Sequence, residues 1–199
     1  NELASFLADE DPEKRNNLVK RLLDRKEFTE MWVMKWAELL TIRTTQQVSY
    51  KPMLRYYNWL NERIANNVPI DVMCQELLGA NGGTFANAAT NYYQNETNTL
   101  KVSENVAQVF MGIRLQCTQC HNHPFDRWTQ ADYFGLAAVF ARVGRKGGFS
   151  DAEVPTSEII YLKDAGEVLH PKTFAVLAPR PLGGPDFQLG PFQDPRHAL

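Results

Sequence analysis

The chain has 199 residues, 44% hydrophobic and 22% charged, with 21 basic against 23 acidic side chains and a net charge of −2. The length supports one domain with a sizeable core. The near-balance of charge excludes the basic surplus of a nucleic-acid binder, and no apolar run approaches the ~18 residues of a membrane span. The opening Asn1-Glu2-Leu3 carries no leader pattern and reads as a mature chain or a piece of a longer one.

Helical signals dominate the first 143 residues. Asp11-Pro12-Glu13 reads as an N-cap, a proline in the first turn and an acidic start. Leu18, Val19, Leu22 and Leu23 follow on one face. Thr29 is placed to cap a second helix, with Phe28 and Val33 as its staple and Trp32, Trp36, Leu39 and Leu40 as its inner face. A third helix starts near Pro52 and carries Met53, Tyr56, Tyr57, Leu60 and Ile64. A fourth runs from Pro69 to Gly79, and Cys74 within it reads as a small buried hydrophobe. Residues 80–100, rich in Asn, Gly and Thr, read as loop. Ser103 is a candidate cap for a fifth helix with the stripe Val102, Val106, Val109, Phe110 and Ile113. Thr129-Gln130-Ala131-Asp132 reads as a capping box opening a sixth, whose inner face is Tyr133, Leu136, Ala137 and Phe140.

Between the last two helices lies Cys117-Thr118-Gln119-Cys120-His121, followed by Asn122-His123-Pro124-Phe125-Asp126-Arg127-Trp128. The spacing C-x-x-C-H is the attachment signature of a c-type haem. Two thiols separated by two residues reach both vinyl groups on one edge of a porphyrin, and the next histidine is held where its imidazole binds iron from the proximal side. With three cysteines and four histidines in the chain, random placement gives this pattern with a probability on the order of 10⁻³. Zinc on Cys117, Cys120 and one or both of His121 and His123 is an alternative, as is a redox or structural dithiol. Trp128 and Phe125 are close enough in sequence to pack on a ring edge. Arg114, Arg127 and Arg142 are candidates to pair with propionates. Asp126 and Asp132 are explained more simply by capping than by acid–base work.

Composition shifts after Val143. Seven of eleven prolines and seven of twelve glycines lie beyond it, and no tryptophan does. We therefore divide the chain into a helical haem-binding domain, 1–143, and a Pro/Gly-rich extended arm, 144–199, that packs on it or leads to a further domain. Within the arm, Ser157–Leu162 and Glu167–His170 are expected to pair as a small β-hairpin around Lys163-Asp164-Ala165-Gly166.

The block Met111 to Gln130, continuing through Asp132-Tyr133-Phe134-Gly135-Leu136-Ala137, resembles the planctomycete-type cytochrome c domain (PSCyt2, DUF1549). Leu22-Leu23 through Trp36, Gly166 to Thr173 and Ala178-Pro179-Arg180 are also similar to that family, so the resemblance covers roughly residues 5–185. It implies a secreted or periplasmic haem-binding module within a longer polypeptide.

The expected fold is mainly α, a bundle of about six helices carrying a c-type haem site. Cys117, Cys120 and His121 are the expected attachment and proximal residues, with Arg127 and Trp128 beside the ring. No methionine follows the motif. His170 is the leading candidate for the distal ligand; Met111 and His123 are weaker ones, and an open sixth position is the third option. Haem c would make the chain an electron-transfer module working with a redox partner protein or an adjoining domain. The alternatives are an enzyme module with an open coordination site and a structural zinc-binding interaction domain.

Overall fold

In the computed structural model the described residues are 1–46, 48–147, 157–184, 186–190 and 193–199. Among them the fold is mainly α, with eight α-helices and two small antiparallel sheets. Of the arm expected from 144 onward, 148–156, 185, 191 and 192 lie outside the described residues.

The first three helices are α1 (Glu2–Ala8), α2 (Lys14–Leu23) and α3 (Lys26–Leu39). Helix α1 lies in a stretch that carries no helix expectation; Asn1 caps it by accepting from the Leu3 N–H. The face expected to be buried on α2 is open, with Val19, Leu22 and Leu23 each more than 40% exposed. Asp11 does not cap α2 directly but accepts from the Glu13 N–H, one residue outside the helix. Helix α3 begins three residues before Thr29, so that threonine is interior and caps nothing. Val33 and Leu40 are its buried anchors, while Trp32 and Leu39 stay exposed.

The core begins in earnest at α4 (Tyr50–Ala65) and α5 (Ile70–Leu78), where Tyr56, Trp59, Leu60, Met73, Leu77 and Leu78 are buried. Pro69 and Gly79 flank α5 as its two caps, as expected. Residues 80–100 are not a plain loop. They hold the short strand β1 (Gly82–Gly83), a single 3₁₀ turn, and α6 (Asn91–Asn95), whose Tyr92 and Tyr93 are buried edge to face at 5.3 Å. Helix α7 (Thr99–Phe110) starts earlier than Ser103, because the Asn98 side chain accepts from the Leu100 and Lys101 N–H groups. Ser103 is buried inside it and returns its hydroxyl to the Leu100 carbonyl. Gly112, at φ +70, then swings the chain out so that the Ile113 N–H reaches the Ala107 carbonyl.

Helix α8 (Gln130–Val139) is the centre of the molecule. The expected inner face Tyr133, Leu136, Ala137 and Phe140 is buried, and so are Phe134, Gly135, Ala138 and Val139, so the helix is enclosed on all sides rather than amphipathic. The Thr129–Asp132 capping box is formed in both directions.

Three strands follow one pattern and two another. β3 (Glu158–Leu162) lies between β1 and β2 (Val143–Gly147), with Val143 opposite Leu162 and Gly82 opposite Ile160. The expected pairing of 157–162 with 167–170 does not form. Instead β4 (Val168–Leu169) pairs with β5 (Val176–Leu177), closed by His170–Ala175 and Phe174–His170 backbone bonds. Both segments do contain strands, but local composition carries no information about which strand each one pairs with. β4 and β5 pack on α8, and the Arg180 side chain lies across Gly135, where a β-carbon would stand 2.5 Å from its Cγ. At the C-terminus the Arg196 guanidinium is buried. It donates to both oxygens of Asp194, to the Ala80 carbonyl and to Asn81, and it sits 5.5 Å over the Tyr93 ring.

Candidate functional site

The Cys-x-x-Cys-His segment lies between α7 and α8 and is shaped by its buried residues. Leu115 and Thr118 point inward, each no more than 1% exposed. The Thr118 N–H donates to the Leu115 carbonyl at 2.8 Å and its hydroxyl bonds the same oxygen, winding 116–119 into one 3₁₀ turn. That turn throws Cys117 and Cys120 outward as exposed free thiols. The Cys120 and His121 N–H groups both reach the Cys117 carbonyl at 3.4 Å.

The loop from 121 to 130 is tied to the start of α8. Gln130, itself buried, donates from its side chain to the Gln119 carbonyl at 3.0 Å, and its N–H donates to Asn122 Oδ1 at 3.2 Å. The His123 N–H closes the loop on the Trp128 carbonyl at 2.8 Å. The Cys-x-x-Cys-His turn is therefore tied to a helix whose residues are buried on all sides.

The histidines differ in which nitrogen is committed. His121 is exposed, and its Nδ1 faces the Asn122 carbonyl at 2.6 Å. A carbonyl only accepts, so Nδ1 carries the proton and Nε2 keeps its lone pair for a metal. His123 is the reverse: its Nδ1 accepts from the Phe125 N–H at 3.3 Å, which leaves the neutral ring with its proton on Nε2. His170 lies in the β4–β5 turn, where Nδ1 accepts from the Lys172 and Thr173 N–H groups at 3.2 and 3.3 Å. Its ring stands 6.3 Å from Phe134 of α8. Met111 lines a cleft of about 510 Å³ with α5 and the C-terminal residues 196–199, and no residue of the Cys-x-x-Cys-His segment lines that cleft.

The flanking residues sort as follows. Arg127 is exposed and stacks over Trp128 at 4.7 Å from the ring. Trp128 is buried, and its indole N–H has no partner among the described residues. Gly183, at φ +70, brings the arm against this pair: a β-carbon there would stand 2.8 Å from the Arg127 guanidinium. Phe125 stands in solvent at 95% exposure. Arg142 is committed to the carbonyls of Lys163 and Gln193, which removes it as a free propionate partner. Asp126 accepts from the Arg127 N–H and Asp132 closes the α8 cap, so both carboxylates serve the backbone.

Among the described residues, no group of three or more His, Cys, Asp or Glu side chains is placed to hold a metal ion. Cys117, Cys120, His121 and His123 are thus not gathered into a preformed metal site of this kind. Cys117, Cys120 and His121 fall within five consecutive residues, and all three are exposed.

Compared with protein families, residues 1–145 match the model of PSCyt2, described as a protein of unknown function (DUF1549). The chain belongs to this family. The PSCyt2 match runs from α1 through the Cys-x-x-Cys-His segment and α8 into β2. Neither the search of curated proteins nor that of solved structures returns a match. Glu104 and Tyr133, whose side chains meet behind the segment, carry no functional expectation in the sequence, where a Glu on a helix and a Tyr on an apolar stripe look ordinary.

Proposed function

We propose that this PSCyt2 member is a c-type cytochrome domain that binds one haem covalently and transfers electrons to or from a partner protein or adjoining domain. Cys117 and Cys120 hold the group as thioethers: each S–H adds across a vinyl double bond, the sulfur bonding one carbon and the proton going to the other. His121 supplies the proximal nitrogen through Nε2. The bound group contributes a one-electron Fe(III)/Fe(II) couple.

The observation that carries the reading is the state of those three side chains: two exposed free thiols on a single turn, and a histidine whose Nδ1 bond to Asn122 leaves Nε2 free to ligate. Thr118 and Gln130 hold the turn; Phe125 offers an aromatic surface to a flat apolar ligand. Covalent attachment outside the cytoplasm implies a periplasmic or secreted location. Among the described residues no helix is long and apolar enough to cross a membrane.

The test is a haem stain on a denaturing gel of protein made with attachment machinery, with Cys117→Ala/Cys120→Ala beside it. Colour retained by the parent and lost by the variant supports the reading; zinc without iron in metal analysis overturns it. A second reading, an open sixth position, is favoured by the commitment of Nδ1 in both His123 and His170 and by the placement of Met111. Carbon monoxide binding to the reduced protein without displacement of a protein ligand would support it.

A further inference from the structure

One carboxylate is buried directly behind the attachment turn. Glu104, on the inner side of α7, is 6% exposed. Its Oε1 accepts from the Tyr133 hydroxyl of α8 at 2.7 Å. Its Oε2 accepts from Lys101 at 2.8 Å and from the Gln116 side chain at 3.4 Å. Gln116 immediately precedes Cys117. Burial pushes the Tyr133 hydroxyl far up, and the Glu104 hydrogen bond and charge add to this. Glu104 is thus tied by hydrogen bonds to the residue that precedes Cys117 and to the helix that follows the Cys-x-x-Cys-His segment. Its cationic partner Lys101 is 49% exposed and so screened by water, whereas the carboxylate is not.

On the haem reading above, we propose that Glu104 tunes the reduction potential of the site, its buried negative charge opposing electron uptake. Adding an electron makes the site one unit more negative, and a fixed anion nearby disfavours that change. A purely structural role, bolting α7 and α8 to the turn, is the competing account. The two accounts differ in sign across variants. Glu104→Gln keeps the shape and the acceptor for Tyr133 but removes the charge. Tyr133→Phe keeps the charge and loosens the bolt. Lys101→Met, at a half-exposed position, removes the counter-charge.

The experiment is a spectroelectrochemical titration of the haem-loaded protein and these variants, with haem content read in parallel by haemochrome absorbance. Glu104→Gln is expected to keep its haem and to move the equilibrium with a one-electron mediator about tenfold toward the reduced form, about 59 mV for one electron. Tyr133→Phe is expected not to raise the potential, and Lys101→Met to lower it, the latter deciding the matter if Glu104→Gln does not fold. An unchanged potential in Glu104→Gln, or a shift of one sign in all three, overturns the proposal and leaves the haem reading standing. Absence of haem from the parent protein overturns both.

Discussion

His121 and His123 are two residues apart, yet their hydrogen bonds assign them opposite tautomers. Asn122 O fixes the proton of His121 on Nδ1, and the Phe125 N–H takes the Nδ1 lone pair of His123. Replacing each by alanine should separate them. On the haem reading, His121→Ala is expected to change the Soret and visible bands of the haem-loaded protein, and His123→Ala to leave them as they are; the reverse outcome would assign the iron to His123 instead. His170 is a further case. Two backbone N–H groups of the β4–β5 turn end on its Nδ1, so its Nε2 can ligate only if the turn gives them up. His170→Ala should cost about 1 kcal/mol of stability in urea unfolding and leave the visible spectrum unchanged. A changed spectrum with unchanged stability would restore it as distal ligand.

Elements were legible where the signal was local. The capping box at Thr129 and Asp132, the Pro69 and Gly79 boundaries of α5, and the inner face Tyr133, Leu136, Ala137 and Phe140 of α8 are all decided within a few residues, and all form. The same holds for the Cys-x-x-Cys-His turn, whose outward thiols follow from the inward Leu115 and Thr118. What the sequence could not specify was competition and partnership. Ser103 and Asn98 are both good caps, and Asn98 won because it supports a longer α7. β3 could have paired with either neighbour in sequence and was claimed by β2 and β1. The apolar face of α2 has the period of a buried helix, but among the described residues no element covers it. Gly112 shows how an element end serves the site. Its φ of +70 turns α7 toward Cys117, and a β-carbon there meets nothing within 4 Å. Gly112→Ala therefore carries only the conformational penalty of the left-handed region, about 1 kcal/mol, and should lower the midpoint of thermal unfolding by about 2–4 °C. A drop much beyond that would mean the turn is coupled to more than its own backbone.

At the scale of the whole molecule, the C-terminal residues close onto the helical body through one buried charge pair. Arg196 is fully enclosed, with Asp194, the Ala80 carbonyl and Asn81 as its acceptors. For Asp194, burial pushes the carboxyl up, but the hydrogen bonds and charge of Arg196 outweigh it and hold it below its ordinary value. Its folded value is thus the lower one. The ionised pair contributes stability above the unfolded range near 4, and that contribution is lost as pH falls through the folded value, because the unfolded chain takes up the proton first. Asp194→Asn leaves Arg196 buried without its counter-charge and should cost about 3 kcal/mol at pH 7. The same variant should lose part of the acid sensitivity, since the group that titrates is gone. Urea unfolding of parent and variant at pH 7, 4 and 3 measures both effects: the gap between them should narrow as pH falls. A gap that stays constant would mean that Asp194 acts through shape alone and that the acid response of the fold originates elsewhere.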